Sequence, residues 1–172
     1  MGKIECGENH YAEPHNCARK TGNIHNRKEE QKINHHEGHE EHEKNEGVIM
    51  EFEKLSNKVL GLIIEVHKNL GPGLLENTYK QCLAYELCSA GISFEMEVSL
   101  PVNYKSVNIS CAYRIDLIID DQLIIELKNV EKLLPVHEAQ ILTYMRLSKI
   151  NIGLLINFNE KYLKNGIKRY VI

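Results

Sequence analysis

The order of apolar and polar positions divides the chain near residue 47, and periodic patterns begin at Val48. Residues 48–69 place Phe52, Leu55, Val59, Leu62, Ile63 and Val66 at the three- and four-residue spacing of one helix face. Gly71-Pro72-Gly73 ends that helix. Residues 74–89 predict a second helix with Leu75, Tyr79, Leu83 and Leu87 on one side, and Gly91 stops it. Phe94, Met96, Val98 and Leu100 then alternate with other residues, which predicts a strand turning all four inward. A strand near 106–119, a turn at Asp120-Asp121-Gln122 and a strand over 123–128 follow. Pro135 opens a third helix over roughly 136–148, at a favoured first-turn position. "INIGLLINF" reads as another buried strand, and Gly166 precedes a short last one, "IKRYVI". The order α-α-β-β-β-α-β-β predicts an α/β (α+β) domain with a mixed central sheet flanked by helices.

Composition alters this picture mainly at the N-terminus. Residues 1–47 hold seven of the nine histidines and few large apolar side chains, and "HHEGHEEHEKNEG" is of low complexity. Such a segment buries too little apolar surface to offset the entropy of ordering it, so a disordered tail over 1–47 is expected before a domain over 48–172. The chain's 24 acidic and 21 basic residues divide as ten and seven in the tail, leaving fourteen of each in the domain. A domain of zero net charge shows no strong electrostatic footprint for nucleic acid or an anionic membrane. No apolar run reaches the ~20 residues of a transmembrane helix, and no signal-peptide pattern opens the chain, so a cytoplasmic location is expected. The five cysteines, scattered without a disulfide-like spacing, read as free thiols.

The chemistry concentrates in "RIDLIIDDQLIIELK", residues 114–128. Its near-continuous apolar runs read as strands buried on both faces, yet Asp116, Glu126 and Lys128 sit inside them. Burying an ionised group costs several kcal/mol unless it is paired or binds a metal. With the turn centred near Asp121, Asp116 falls opposite Glu126, and Lys128, two residues on, shares the Glu126 face. Two adjoining carboxylates repel unless a cation joins them. Mg2+ or Mn2+, which take oxygen ligands, suit that role, with the backbone carbonyl of Leu127 as a third ligand and Lys128 beside the ion's water. The alternative is a Glu-x-Lys surface ion pair worth ~0–1 kcal/mol.

These residues also carry a resemblance. "YRIDLIIDDQLIIELKNV" followed by "PVHEAQILTYMRL" resembles the core of the PD-(D/E)XK nuclease superfamily. "VHKNLGPGLLENTYKQCLAYEL" is similar to its GxxExxY family, with Gly73, Glu76 and Tyr79 as the naming residues. The resemblance spans about 50–172 and implies a restriction-endonuclease-like sheet and a metal-dependent nuclease. It implies that Asp116 and Glu126 are metal ligands and Lys128 is the catalytic lysine. Gln140 and Tyr144 match the Q-x-x-x-Y element of RecB-like branches, and Glu76 resembles the helical glutamate that joins the metal shell. "RID" stands where the motif has "PD". The implied partner is nucleic acid, DNA or RNA, with no membrane role and no specified oligomeric state.

Each further residue has a plainer reading beside this one. Gln140 could cap a sheet edge, Tyr144 could be a core aromatic, and Glu76 could favour its helix dipole. His67, at the end of the first helix, suits a structural role; Arg114 reads either as a phosphate contact or as an exposed strand end. His137 shows no ligand geometry, and Gly71 and Gly73 read as a turn, since no Lys-Ser/Thr completes a phosphate loop. Cys6, His10, His15 and Cys17, or His35, His36, His39 and His42, could share a metal, but their spacing fits no zinc pattern. Two further functions therefore stand beside the nuclease. One is a non-catalytic module that binds nucleic acid or protein; the other is metal handling by the histidine-rich tail.

Overall fold

The computed structural model describes residues 40–172, with the side chains of 53–107, 109 and 113–172. The tail expected over 1–47 therefore lies, as far as residue 39, outside the described residues. The first helix, α1 (Glu40–Leu70), starts ahead of the boundary read at Val48. Its opening stretch is rich in glutamate and lysine, good helix formers, and acids near an N-terminus suit the helix dipole. Then come α2 (Glu76–Ser89), β1 (Phe94–Tyr104), β2 (Val107–Ile119), β3 (Leu123–Lys128), α3 (Pro135–Ser148), β4 (Ile152–Asn157), a short 3-10 turn (Leu163–Gly166) and β5 (Ile167–Val171).

The five strands lie side by side in chain order as one mixed sheet. Only β3 and β4 run parallel, with α3 as their crossover; the other neighbours are antiparallel. Period-two alternation in the central strands feeds two cores. Leu123, Ile125 and Leu127 pack with Val59, Ile63 and Val66 of α1 and with Tyr79, Leu83 and Leu87 of α2. Ile124 and Leu155 pack with Ile141, Tyr144 and Met145 of α3 on the opposite face. Each such side chain contributes roughly 1.5–3 kcal/mol by leaving water. This three-layer arrangement explains why β3 and β4 read as unbroken apolar runs.

Three expectations are corrected. Leu75 is 78% exposed and precedes α2 rather than lining its buried face. Phe94, Met96, Val98 and Leu100 are all buried, but the first two belong to the α1–α2 core and the last two to the α3 core. The face changes at Glu97, whose φ of 55° is left-handed in mid-strand. On the partner strand the same exchange separates Ile115 from Leu117, on either side of Asp116. A non-glycine residue held this way costs on the order of 1 kcal/mol and persists only where its surroundings enforce it. Of the cysteines with described side chains, Cys82 is free but Cys88 is disulfide-bonded. Linear spacing does not record which thiols meet in space.

The turn between β2 and β3 is as expected, with Asp120 and Asp121 both at positive φ and Gln122 N–H donating to the Ile119 carbonyl at 2.9 Å. The Gly71-Pro72-Gly73 segment holds both glycines at positive φ. Tyr79 fastens it: its hydroxyl donates to the Gly71 carbonyl at 2.6 Å and accepts from Leu74 N–H at 3.1 Å. The Tyr79 ring stacks on Phe158 at 4.2 Å, so the tyrosine of the G-x-x-E-x-x-Y segment is a structural clamp between α2 and the end of β4.

Candidate active site

The β2–β3 ladder pairs Ile119 with Leu123, Ile118 with Ile124 and Leu117 with Ile125. One further step in that register sets Asp116 across from Glu126. There the backbone ladder gives way to a side chain: Leu127 N–H donates to Asp116 Oδ2 at 2.9 Å. Asp116 is thereby held against the backbone of the residue that separates Glu126 from Lys128.

Glu126 is 2% exposed. Its Oε1 accepts from Lys128 Nζ at 2.5 Å, while its buried Oε2 has no hydrogen-bond partner. Burial pushes the Glu126 carboxyl up to about 7, the Asp116 charge pushes the same way, and Lys128 opposes both. Burial disfavours the Lys128 ammonium, but Glu126, Glu76 and Asp116 together outweigh it and its pKa stands raised. An unpartnered buried carboxylate oxygen is a costly feature that a bound cation would satisfy.

Glu76, in the first turn of α2, accepts from Asn129 N–H at 3.2 Å, and its charge is felt by both Glu126 and Lys128. It therefore faces the site while holding the segment that follows Lys128. Gln140 and Tyr144 share a face of α3 and join directly, Gln140 Nε2 donating to the Tyr144 hydroxyl at 2.7 Å. Burial raises the Tyr144 pKa, and the charges of Glu126, Lys128 and Asp116 reach it as well. Among the described residues no three carboxylate, imidazole or thiol groups converge as a ready ligand set. The donors available to an ion are the Asp116 and Glu126 carboxylates and the Leu127 carbonyl, with Glu76 alongside. All are oxygens, which fits a hard divalent cation.

Four participants escaped the sequence reading. Lys80, one turn after Glu76 on α2, places its ammonium 3.0 Å from Asp116 Oδ1 and also pairs with Glu97. Burial opposes its charge, but the Glu97 and Asp116 carboxylates outweigh this and its pKa is raised. Glu97 binds Arg114 as well, so this arginine is committed to an ion pair at the strand surface. Asn129 donates its side-chain amide to the Leu74 carbonyl at 2.6 Å. Asn157, buried at the end of β4 beside Lys128, accepts from Val130 N–H at 3.1 Å and donates to the Val130 carbonyl at 2.8 Å. The i, i+4 spacing of Glu76 and Lys80 was a visible sign that they share a helix face. An asparagine closing an apolar strand was the other.

The two histidines whose side chains are described both bond to backbone groups. His67 Nε2 meets the Glu160 carbonyl at 2.8 Å, and His137 Nδ1 accepts from Leu134 N–H at 3.1 Å, capping α3. The histidine and cysteine candidates of the tail lie outside the described residues, apart from His42 in the first turn of α1, whose side chain is not described.

A mixed five-stranded sheet between helices defines a restriction-endonuclease-like fold, and on it an acidic residue of one hairpin strand faces an E-x-K on the next. In agreement, a family model for the PD-(D/E)XK nuclease superfamily matches residues 53–170, and the chain belongs to that superfamily. No curated protein and no solved structure matches it. Among the described residues no helix is long and apolar enough to cross a membrane.

Proposed function

We propose that this protein is a metal-dependent nuclease of the GxxExxY type that hydrolyses nucleic-acid phosphodiester bonds. The observation that carries the reading is the Glu126 carboxylate, buried beside Asp116 with one oxygen unpartnered and the other held by Lys128. Asp116, Glu126 and the Leu127 carbonyl would hold Mg2+ or Mn2+, with Glu76 beside them. When bound, such an ion supplies positive charge at the phosphate and makes a nearby water more acidic.

The remaining work falls to the chain's own groups. Asp116, anchored by Leu127 N–H, keeps its carboxylate fixed relative to Glu126. Lys128, paired with Glu126 here, would offer its ammonium to the attacking water and the phosphate and stabilise the charge that grows in the transition state. The Gln140–Tyr144 pair lines the α3 side, where its hydroxyl and amide can orient the substrate backbone. Asn157 and Glu76 hold residues 129–130, and with them the position of Lys128.

The test is hydrolysis of single- and double-stranded DNA and RNA with Mg2+ or Mn2+. Lys128→Ala, Asp116→Ala and Glu126→Ala should each lower the rate about 100-fold or more. Saturable nucleic-acid binding without cleavage of any substrate would instead establish a non-catalytic binding module.

A further inference from the structure

Lys80 belongs to no recognisable nuclease motif, yet it is only 7% exposed and its ammonium is spent on the site. It lies 3.0 Å from Asp116 Oδ1 and pairs with Glu97, whose other oxygen is paired with Arg114. Glu97 reaches this cluster from a left-handed backbone in mid-strand, opposite Asp116. We propose that Lys80 is the resident second cation of the centre: its ammonium fills the position between Asp116 and Glu97, so that the site takes one divalent ion and not two.

The charges around the site favour this arrangement. With Glu126 ionised, Glu76, Glu97, Asp116 and Glu126 contribute four negative charges, and Lys80, Arg114 and Lys128 three positive ones, for a balance of −1. One divalent ion brings the balance to +1, which the single negative charge of a phosphodiester cancels. Two ions would leave +3, or +2 with the phosphodiester bound, beside the buried Glu126 and Lys80, where uncompensated charge is costly. Lys80 also occupies one of Asp116's two oxygens while Leu127 N–H holds the other. Asp116 is therefore oriented before any ion arrives, and Lys80 acts as a positioning residue for it.

The inference rests on the nuclease reading for the first ion, and its test separates the two. Mn2+ is titrated calorimetrically into the full chain. The ions counted are those in excess of an Asp116→Ala/Glu126→Ala double variant, because the histidine-rich tail is common to every protein compared. Wild type and Lys80→Arg should bind one ion, and Lys80→Met two. Adding Glu97→Gln to Lys80→Met should return the count to one. Circular dichroism checks each fold. If Lys80→Met does not fold, Lys80→Gln carries the same expectation, and the wild-type count bears on the question by itself. Two ions in the wild type overturn the proposal, as does an unchanged count once Lys80 is removed. No ion in the wild type but one in Lys80→Met would overturn the metal assignment at Glu126 and leave the Lys80 position standing.

Discussion

Glu126 carries its charge at a site that resists it, and this makes stability depend on pH. Its folded-state pKa of about 7 lies above its ordinary 4.5. Between those values the folded state binds more protons than the unfolded state, so stability falls as pH rises through the window. At about 1.36 kcal/mol for each pH unit, the loss is roughly 3 kcal/mol at most. Without divalent metal, the melting temperature should drop by roughly 6–12 °C from pH 5 to pH 8. Glu126→Gln should flatten that slope, and thermal unfolding across the pH series reads both. Mn2+ affinity should move the opposite way, rising with pH as the carboxyl gives up its proton.

At the scale of elements, the site depends on two close approaches to β4. A Cβ on Gly153 would meet Met145 Sδ at 2.8 Å and Ile141 Cδ1 at 3.0 Å, where α3 crosses the sheet. Both are ends of flexible side chains and can yield. A Cβ on Gly166 would run into the backbone carbonyl oxygen of Asn157, the residue whose side chain secures Val130. Backbone there cannot yield without moving the segment after Lys128. Gly153→Ala should cost about 1 kcal/mol and Gly166→Ala about 3 kcal/mol. Denaturant unfolding gives the order, and equal costs would remove the distinction. The reversal of strand faces at Glu97 is an effect of the same scale: a single left-handed residue sends Phe94 and Met96 to one core and Val98 and Leu100 to the other.

For the whole molecule, charge decides how nucleic acid would be held. Domain residues 48–172 balance fourteen acids with fourteen bases, and the basic groups at the site are already paired with carboxylates. Few condensed counterions can then be released on binding, and affinity should depend only weakly on salt. With Lys128→Ala, so that substrate survives, log K against log salt should be shallower than about −3 between roughly 50 and 200 mM. Fluorescence anisotropy measures it, and a slope near −6 would mean a wide phosphate footprint on a surface away from this site.

The order of helices and strands, the turn at Asp120-Asp121 and the facing of Asp116 and Glu126 were all determined by the sequence itself. Hydrophobic period and turn residues act over a few neighbours, and an antiparallel hairpin inherits its register from its turn. The motif E-x-K was legible for the same reason, since alternate residues of a strand share a face. What only the tertiary structure decided are the contacts between distant segments. Lys80 reaches Asp116 across 36 positions, and Asn157 reaches Val130 across 27. The change of face at Glu97 requires a backbone angle that no local propensity favours for glutamate. These features arise when helices and sheet pack, because only then do buried charges and backbone groups far apart in the chain find the partners that burial demands.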